Sequence, residues 1–307
     1  MEDVGIILIN YNTSDYTINC IKSFDKHKDS ERKTEFIVID NNSNPEEFLK
    51  LSELKSRDDL QLIRNEINLG YSAANMMGIN HCRAKYYFFI NNDTEILNDN
   101  ISILFDFMES HIKAGICSGQ MYDAPDKPGI NFNYFPDLKL KLLGHGILNI
   151  FYPEEYPSKK IIYRIPVRVP VLNGSSLFVR ASVFNELGGF DSQYFLYCEE
   201  EDLAIRMKNS GYSCYLVPGA KYLHYKGKSS ISDEGINLVM LKEFYLSQHF
   251  FYRKHYGTTA SWIWRITQFI RTIRKFYIHP DYFRLAFFIL SGPQLHQSLR
   301  YRQSQGQ

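Results

Sequence analysis

Short apolar runs, each ending in polar residues, punctuate the first ninety or so positions of the chain. Val4 to Asn10 and Phe36-Ile37-Val38-Ile39-Asp40 are continuous enough to predict strands buried on both faces of a parallel sheet. Leu60-Gln61-Leu62-Ile63 predicts a third strand and Tyr86-Tyr87-Phe88-Phe89-Ile90 a fourth. Between them Ser14 to His27 predicts a helix opened by Ser14 or Asp15, and Ser72 to Cys82 predicts another. Strand and helix in alternation imply a doubly wound α/β sheet, whose ligands bind beyond the carboxyl ends of the strands. Asn10-Tyr11-Asn12, Asp40-Asn41-Asn42-Ser43 and Asn91-Asn92-Asp93 all fall at that edge.

The second half is patterned differently. Asn173-Gly174-Ser175-Ser176 interrupts an apolar strand, where a missing side chain lets a ligand approach the backbone. Tyr194 to Cys198 leads into Glu199-Glu200-Glu201-Asp202-Leu203, and a helical pattern then runs to about Ser210. Acids favourably line a first helical turn, and Asp202 can pair with Arg206 one turn on. The same cluster can supply a general base, because crowded carboxylates raise one another's affinity for protons. Towards the end, Trp262, Ile266, Phe269, Ile273 and Phe276 recur at helical spacing among Arg265, Arg271, Arg274 and Lys275. Such a stripe suits an anionic membrane surface or packs on its own domain.

Composition narrows the classes. With 307 residues, 44% apolar and 22% charged, the chain can hold one large core and an appendage, and a net charge of +1 gives no field for nucleic acid. Five scattered cysteines without metal-ligand spacing fit free thiols in a reducing compartment. The N-terminus lacks the order of a signal peptide and no stretch of about 20 apolar residues occurs, so a cytoplasmic location is expected, with any membrane contact peripheral on its inner face. A Walker phosphate loop, a Rossmann glycine fingerprint and a Ser/His/Asp or Cys/His nucleophilic order are absent. Asp93, ending a buried strand, can hold a divalent cation against a diphosphate.

The motifs Ile7-Leu8-Ile9-Asn10-Tyr11-Asn12, Val38-Ile39-Asp40-Asn41-Asn42-Ser43, Asn68-Leu69-Gly70-Tyr71-Ser72-Ala73-Ala74-Asn75 and Phe89-Ile90-Asn91-Asn92-Asp93 stand in a telling order. They are followed by Val171 to Arg180, Gly188-Gly189-Phe190-Asp191, the acidic stretch and His224. Over residues 4 to 230 this order resembles family 2 inverting glycosyltransferases, in particular their bacterial rhamnosyltransferase branch. The resemblance implies a GT-A type mixed sheet in a catalytic domain over residues 1–225, and a loop with a helical extension over 226–307. It implies that Asp40 receives the imide N–H of a pyrimidine, that Asn10, Asn12, Asn68, Gly70, Asn75, Asn92 and Asp93 line the nucleotide-sugar pocket, and that Gly174 and Ser175 lie beside donor sugar and acceptor.

The resemblance further implies that Asp93 and His224 hold Mn²⁺ or Mg²⁺. Asn91 and Asn92 stand where relatives often carry another acid, which leaves the metal site lean in charge. Glu200 stands where many relatives have Asp and is the expected base, with Asp202 next and Glu199 as an acceptor or supporting contact. The expected donor is dTDP-rhamnose or a UDP-sugar, and the expected acceptor a glycan or polyprenyl-linked glycan of surface polysaccharide assembly. Lys226 to Gly235, rich in Gly, Ser and Lys, is expected to be a lid or a linker. A nucleotidyltransferase, or a non-catalytic sugar-nucleotide-binding or membrane scaffold protein, is the alternative.

Overall fold

The computed structural model describes residues 2–28, 32–225 and 237–304; the expected lid, Lys226 to Gly235, lies outside them. Glu2–Asn10 pairs in parallel with Thr34–Asp40 on one side and Ala84–Ile90 on the other, and Thr34–Asp40 with Leu60–Arg64. Asn10 stands opposite Asp40, and Asp40 opposite Arg64, so the polar residues gather at one edge. Past Ala84–Ile90 the sheet turns mixed. Ser176–Arg180 lies antiparallel between Ala84–Ile90 and Ala114–Ala124, and Ser213–His224 follows in parallel. Thr94–Ile96 closes the edge antiparallel to Ser213–His224, with His224 opposite Thr94.

The two-residue period of the strands sorts their side chains into two cores. Ile6, Leu8, Phe36 and Phe88 face one layer, where Phe24 of the helix Ser14–His27 joins them. Ile7, Ile37, Ile39 and Phe89 face the other, against Phe184 and Phe190. All eleven are almost fully buried, at about 1.5–3 kcal/mol per large apolar side chain. All five cysteines are buried free thiols.

The C-terminal extension is helical, as expected, and is folded back on itself. Leu238–Ile273 is interrupted at Gly257, whose φ of 81° no other residue type adopts easily. In a straight helix Tyr245 and Trp264 would be about 28 Å apart. Their rings are 6.3 Å apart, and Trp264 also stacks on Tyr252 at 5.5 Å, so the two halves form a hairpin. With Asp281–Ser291 this hairpin builds a third core in which Trp264, Leu285 and Ile289 meet Phe251 and Tyr252, and also Tyr194 and Cys198 from the stretch that leads into the acidic residues. Among the described residues no helix is long and apolar enough to cross a membrane.

Candidate active site

The strand ends carry a buried polar lattice. Asn10 Nδ2 donates to Asp40 Oδ1 (2.9 Å) and Ser43 Oγ (3.0 Å), while Asn10 Oδ1 accepts from Thr17 Oγ1 (2.8 Å). Ser43 N donates to Asp40 Oδ2 (3.2 Å), and Arg64 Nε lies 3.5 Å from the same oxygen. Asp40 is 0% exposed and lies behind the cleft, not in it. This differs from the expectation that Asp40 meets a pyrimidine directly: its oxygens are engaged in fastening the strand-end turns. Asn10 is buried in the same lattice, and Asn12, at φ 54°, ties the neighbouring loop by accepting from Asn44 N (2.8 Å).

In front of the lattice lies a cleft of about 640 Å³. One end is built by Asn41, Asn68 and Gly70. Asn41 Nδ2 donates to Asn68 Oδ1 (2.7 Å), and Asn41 Oδ1 accepts from Leu69 N (2.9 Å) and Asn65 Nδ2 (3.1 Å). Gly70 opens the helix Gly70–Ile79 at φ 77°, and a Cβ there would strike the backbone of Phe195. That approach lets Tyr71 N donate to Phe195 O (2.7 Å), joining the walls. Asn75, donating to Tyr71 O, and Asn92, donating to Thr13 Oγ1 (2.8 Å) and Thr17 Oγ1 (2.9 Å), both line the cleft.

Asp93 lines it as well. The pairing of Thr94 with His224 brings His224 Nε2 to 3.1 Å from Asp93 Oδ1, and Tyr225 N donates to Asp93 O (2.9 Å). His224 Nδ1 is buried without a hydrogen-bond partner among the described residues. One carboxylate and one imidazole are a donor set that fits a divalent cation, which would need its remaining ligands from elsewhere. Among the described residues no third acid, His or Cys joins them.

The acidic helix, Glu199–Asn209, starts where the chain passes through two left-handed residues, Tyr197 (φ 74°) and Cys198 (φ 68°). Such conformations cost on the order of 1–3 kcal/mol each outside glycine and need support. Support comes from the extension: Ser247 Oγ donates to Leu196 O (2.8 Å), Phe244 packs edge-on to Tyr197, and Cys198 sits in the third core. Glu200 then lies over Gly174, where a Cβ would be 3.1 Å from its Oε1. Gly174 O accepts from Tyr71 Oη (3.0 Å), connecting this carboxylate to the cleft. Burial raises the proton affinity of Glu200, although backbone N–H groups and Glu201 pull the other way. Glu199 and Glu201 are held well above the ordinary range by burial and by the charge of Glu200.

Asp202 is a different group. Its buried carboxylate receives Arg206 Nε (2.8 Å), His255 Nε2 (2.7 Å) and Lys254 Nζ (2.6 Å). Burial alone would raise its pKa, yet these partners outweigh burial and bring it down to about 2. Arg206 in turn donates to Leu187 O and Gly189 O. Asp202 is thus a strut between the acidic helix and the extension, not the second candidate base that its position suggested. Ser175 is likewise buried: its Oγ bonds Tyr222 Oη (3.0 Å) and its carbonyl accepts from Asn91 N (2.9 Å).

Sequence reasoning missed several cleft residues. Asn41, next to Asp40, was legible as polar, but which of the two faces the cleft depends on the backbone after the strand. Met240, Leu299 and Gln303 line the cleft from the far end of the chain and carry no local signal.

Comparison with known proteins accords with this geometry. N-acetylglucosaminyl-diphospho-decaprenol L-rhamnosyltransferase of Mycobacterium tuberculosis is 36% identical over 102 residues, which cover 31% of this chain and 32% of that protein, so the match spans about a third of its length. The dTDP-rhamnosyl transferase RfbF of Shigella flexneri is 24% identical over 240 residues, 77% of this chain and 74% of RfbF. Among solved structures, GalNAc-T7 with UDP, GalNAc and Mn²⁺ shares the fold, with a TM-score of 0.59 at 15% identity over 82% of this chain and 50% of that one. The sheet is thus of the GT-A type. The profile of glycosyl transferase family 2 matches residues 5–188, more than half of the chain, and the chain belongs to that family.

Proposed function

We propose that the chain transfers a sugar, with inversion, from a nucleoside-diphosphate donor to a hydroxyl of a glycan or lipid-linked acceptor. The observation that carries this reading is one cleft lined by Asn41, Asn68, Gly70, Asp93 and Tyr71, with His224 bonded to Asp93 and with Tyr71 bonded to the Gly174 carbonyl beneath Glu200. The acceptor hydroxyl gives its proton to Glu200 as its oxygen bonds the anomeric carbon. The bond from that carbon to the diphosphate oxygen breaks in the same step, and the nucleoside diphosphate leaves with the electron pair. A base within about 3 Å of the hydroxyl is required, and the raised proton affinity of Glu200 suits it to keep that proton. A divalent cation, Mn²⁺ or Mg²⁺, held by Asp93 and His224 would neutralise the departing charge. The Mn²⁺ in the GalNAc-T7 structure supports this choice of cofactor.

The donor we favour is dTDP-rhamnose, in line with the names of the rhamnosyltransferase relatives. A lipid-linked acceptor is supported by the outward face of the helical hairpin. There the usual burial pattern is inverted: Ser261, Arg265, Gln268 and Thr272 are buried, whereas Trp262, Ile266, Ile270, Phe283 and Phe287 are about half exposed. Arg271, Arg274, Lys275 and Arg284 are exposed around them. An apolar, cationic face of this kind fits peripheral contact with an anionic membrane. Turnover with a panel of nucleotide sugars and a polyprenyl-diphosphate glycan tests the reading. Release of nucleoside diphosphate with glycan extension is expected, while release of pyrophosphate would make the chain a nucleotidyltransferase, and binding without turnover a scaffold.

A further inference from the structure

The end of the chain reaches back to the nucleotide end of the cleft. Leu299 and Gln303 line the cleft together with Met240, as do Asn41, Asn68 and Gly70. Nothing in the local sequence demands this return, so its anchoring is informative. Glu243, 2% exposed on the extension, receives Ser298 Oγ on one carboxylate oxygen (2.7 Å) and Leu299 N on the other (2.9 Å). Arg300 Nη2 donates to Leu69 O (3.4 Å), the residue just before Gly70. A buried carboxylate and a contact to the loop that precedes Gly70 thus hold this turn in place.

What this turn offers is an apolar surface with an amide beside it. Leu299 and Met240 supply the apolar part, and Gln303 Oε1 is buried without a hydrogen-bond partner among the described residues. A buried acceptor without a partner is costly, and a ligand bearing an N–H or O–H in the cleft would satisfy it. A flat heterocycle with a hydrogen-bonding edge matches both features. The diphosphate belongs at the other end, beside Asp93 and His224.

We propose that the C-terminal turn is a wall of the donor site, with Leu299 and Met240 covering the nucleoside and Gln303 Oε1 accepting a hydrogen bond from it. This rests on the reading of the cleft as a nucleotide-sugar site and adds the residues that recognise the nucleoside half. Gln303→Ala and Leu299→Ala, made in the full chain, would be titrated calorimetrically with UDP, with dTDP and with inorganic pyrophosphate, each with Mn²⁺. Each variant is expected to bind UDP and dTDP about three- to tenfold more weakly, the effect of one neutral hydrogen bond or a comparable apolar contact. Pyrophosphate binding should stay within about twofold of wild type, because that probe lacks the nucleoside. Unchanged UDP affinity in both variants, with unchanged melting temperature, would overturn the proposal. Equal weakening of UDP and pyrophosphate would also overturn it, by moving the turn to the diphosphate. Wild-type protein that bound pyrophosphate but neither nucleotide would refute the donor-site reading itself, and the proposal with it.

Discussion

Replacing Asp202 by Asn separates a strut from a base. The carboxylate is fully buried, and its partners Arg206 and Lys254 are 19% and 28% exposed. Breaking a buried ion pair by removing one partner costs about 3–5 kcal/mol. The partial exposure of both cations lets water recover some of that, which brings the expectation to about 3 kcal/mol. The acid side gives an independent figure. A pKa moved from 3.8 to about 2 corresponds to about 2–3 kcal/mol of native-state stabilisation. Because the folded value is the lower one, this contribution is complete above pH of about 4 and is lost as pH falls towards about 2. At pH 7 the melting temperature of Asp202→Asn should therefore fall by about 6–12 °C, and the gap to wild type should shrink on acidification below about pH 4. Differential scanning fluorimetry across pH reads both. Transfer measured well below the variant's melting temperature should stay within about tenfold of wild type. A variant with wild-type melting temperature whose transfer falls by about 10² or more would refute the reasoning and make Asp202 the base.

Glu200→Gln should behave oppositely, with melting temperature and nucleotide affinity kept while transfer falls about 10²–10⁴-fold in a glycan-extension assay. In the wild type, transfer should rise with pH through an inflection above the ordinary carboxylate range, since burial raises the pKa of Glu200. Asp93→Asn should weaken Mn²⁺-dependent binding of UDP measured calorimetrically, and unchanged metal dependence would count against Asp93 as a ligand. Asp40→Ala should lower the melting temperature, because a buried acceptor of the Asn10 and Ser43 hydrogen bonds is lost at about 1.5–3 kcal/mol; intact stability with weakened UDP binding would return Asp40 to the nucleotide. Ending the chain after Gly257 removes Trp264, Leu285 and Ile289 from the third core, so circular dichroism should show loss of cooperative folding.

The local signals in the sequence were good guides where the structure is local. Ser14–His27 forms the helix that its polar start and apolar spacing predict, and the four parallel strands lie where the apolar runs put them, extended by one or two residues. The helix expected from Ser72 starts at Gly70, because the left-handed glycine itself makes the turn into it, and it ends at Ile79; the short helix Pro45–Leu51 is not among the expected elements. Meeting of Asp93 with His224 needs only the last strand to pair beside Thr94. What stayed hidden is non-local. Lys254 and His255 reach Asp202 across about fifty residues, so nothing local distinguishes Asp202, as a strut, from the three acids before it. Asp40 and Asn41 are adjacent and both polar, and only the path of the turn decides that the first is buried behind the cleft and the second faces it. The stripe of Trp262, Ile266 and Phe276 was visible, but that it points outward follows from which other face packs.

The left-handed pair Tyr197 and Cys198 bears on how freely this chain could be recombined. Everything from Asn10 to His224 suggests a self-contained catalytic module with an accessory tail, yet the turn that aims Glu200 is held by Phe244, Ser247 and the third core. A chimera joined just after His224 would inherit only the cleft residues that precede it and lose the support of that turn, leaving the carboxylates free to drift from Gly174. Exchange of acceptor preference between relatives would therefore have to move the segment around 190–209 together with its own helical hairpin. The unit of inheritance is the pair of elements, separated in the chain and joined at two backbone angles.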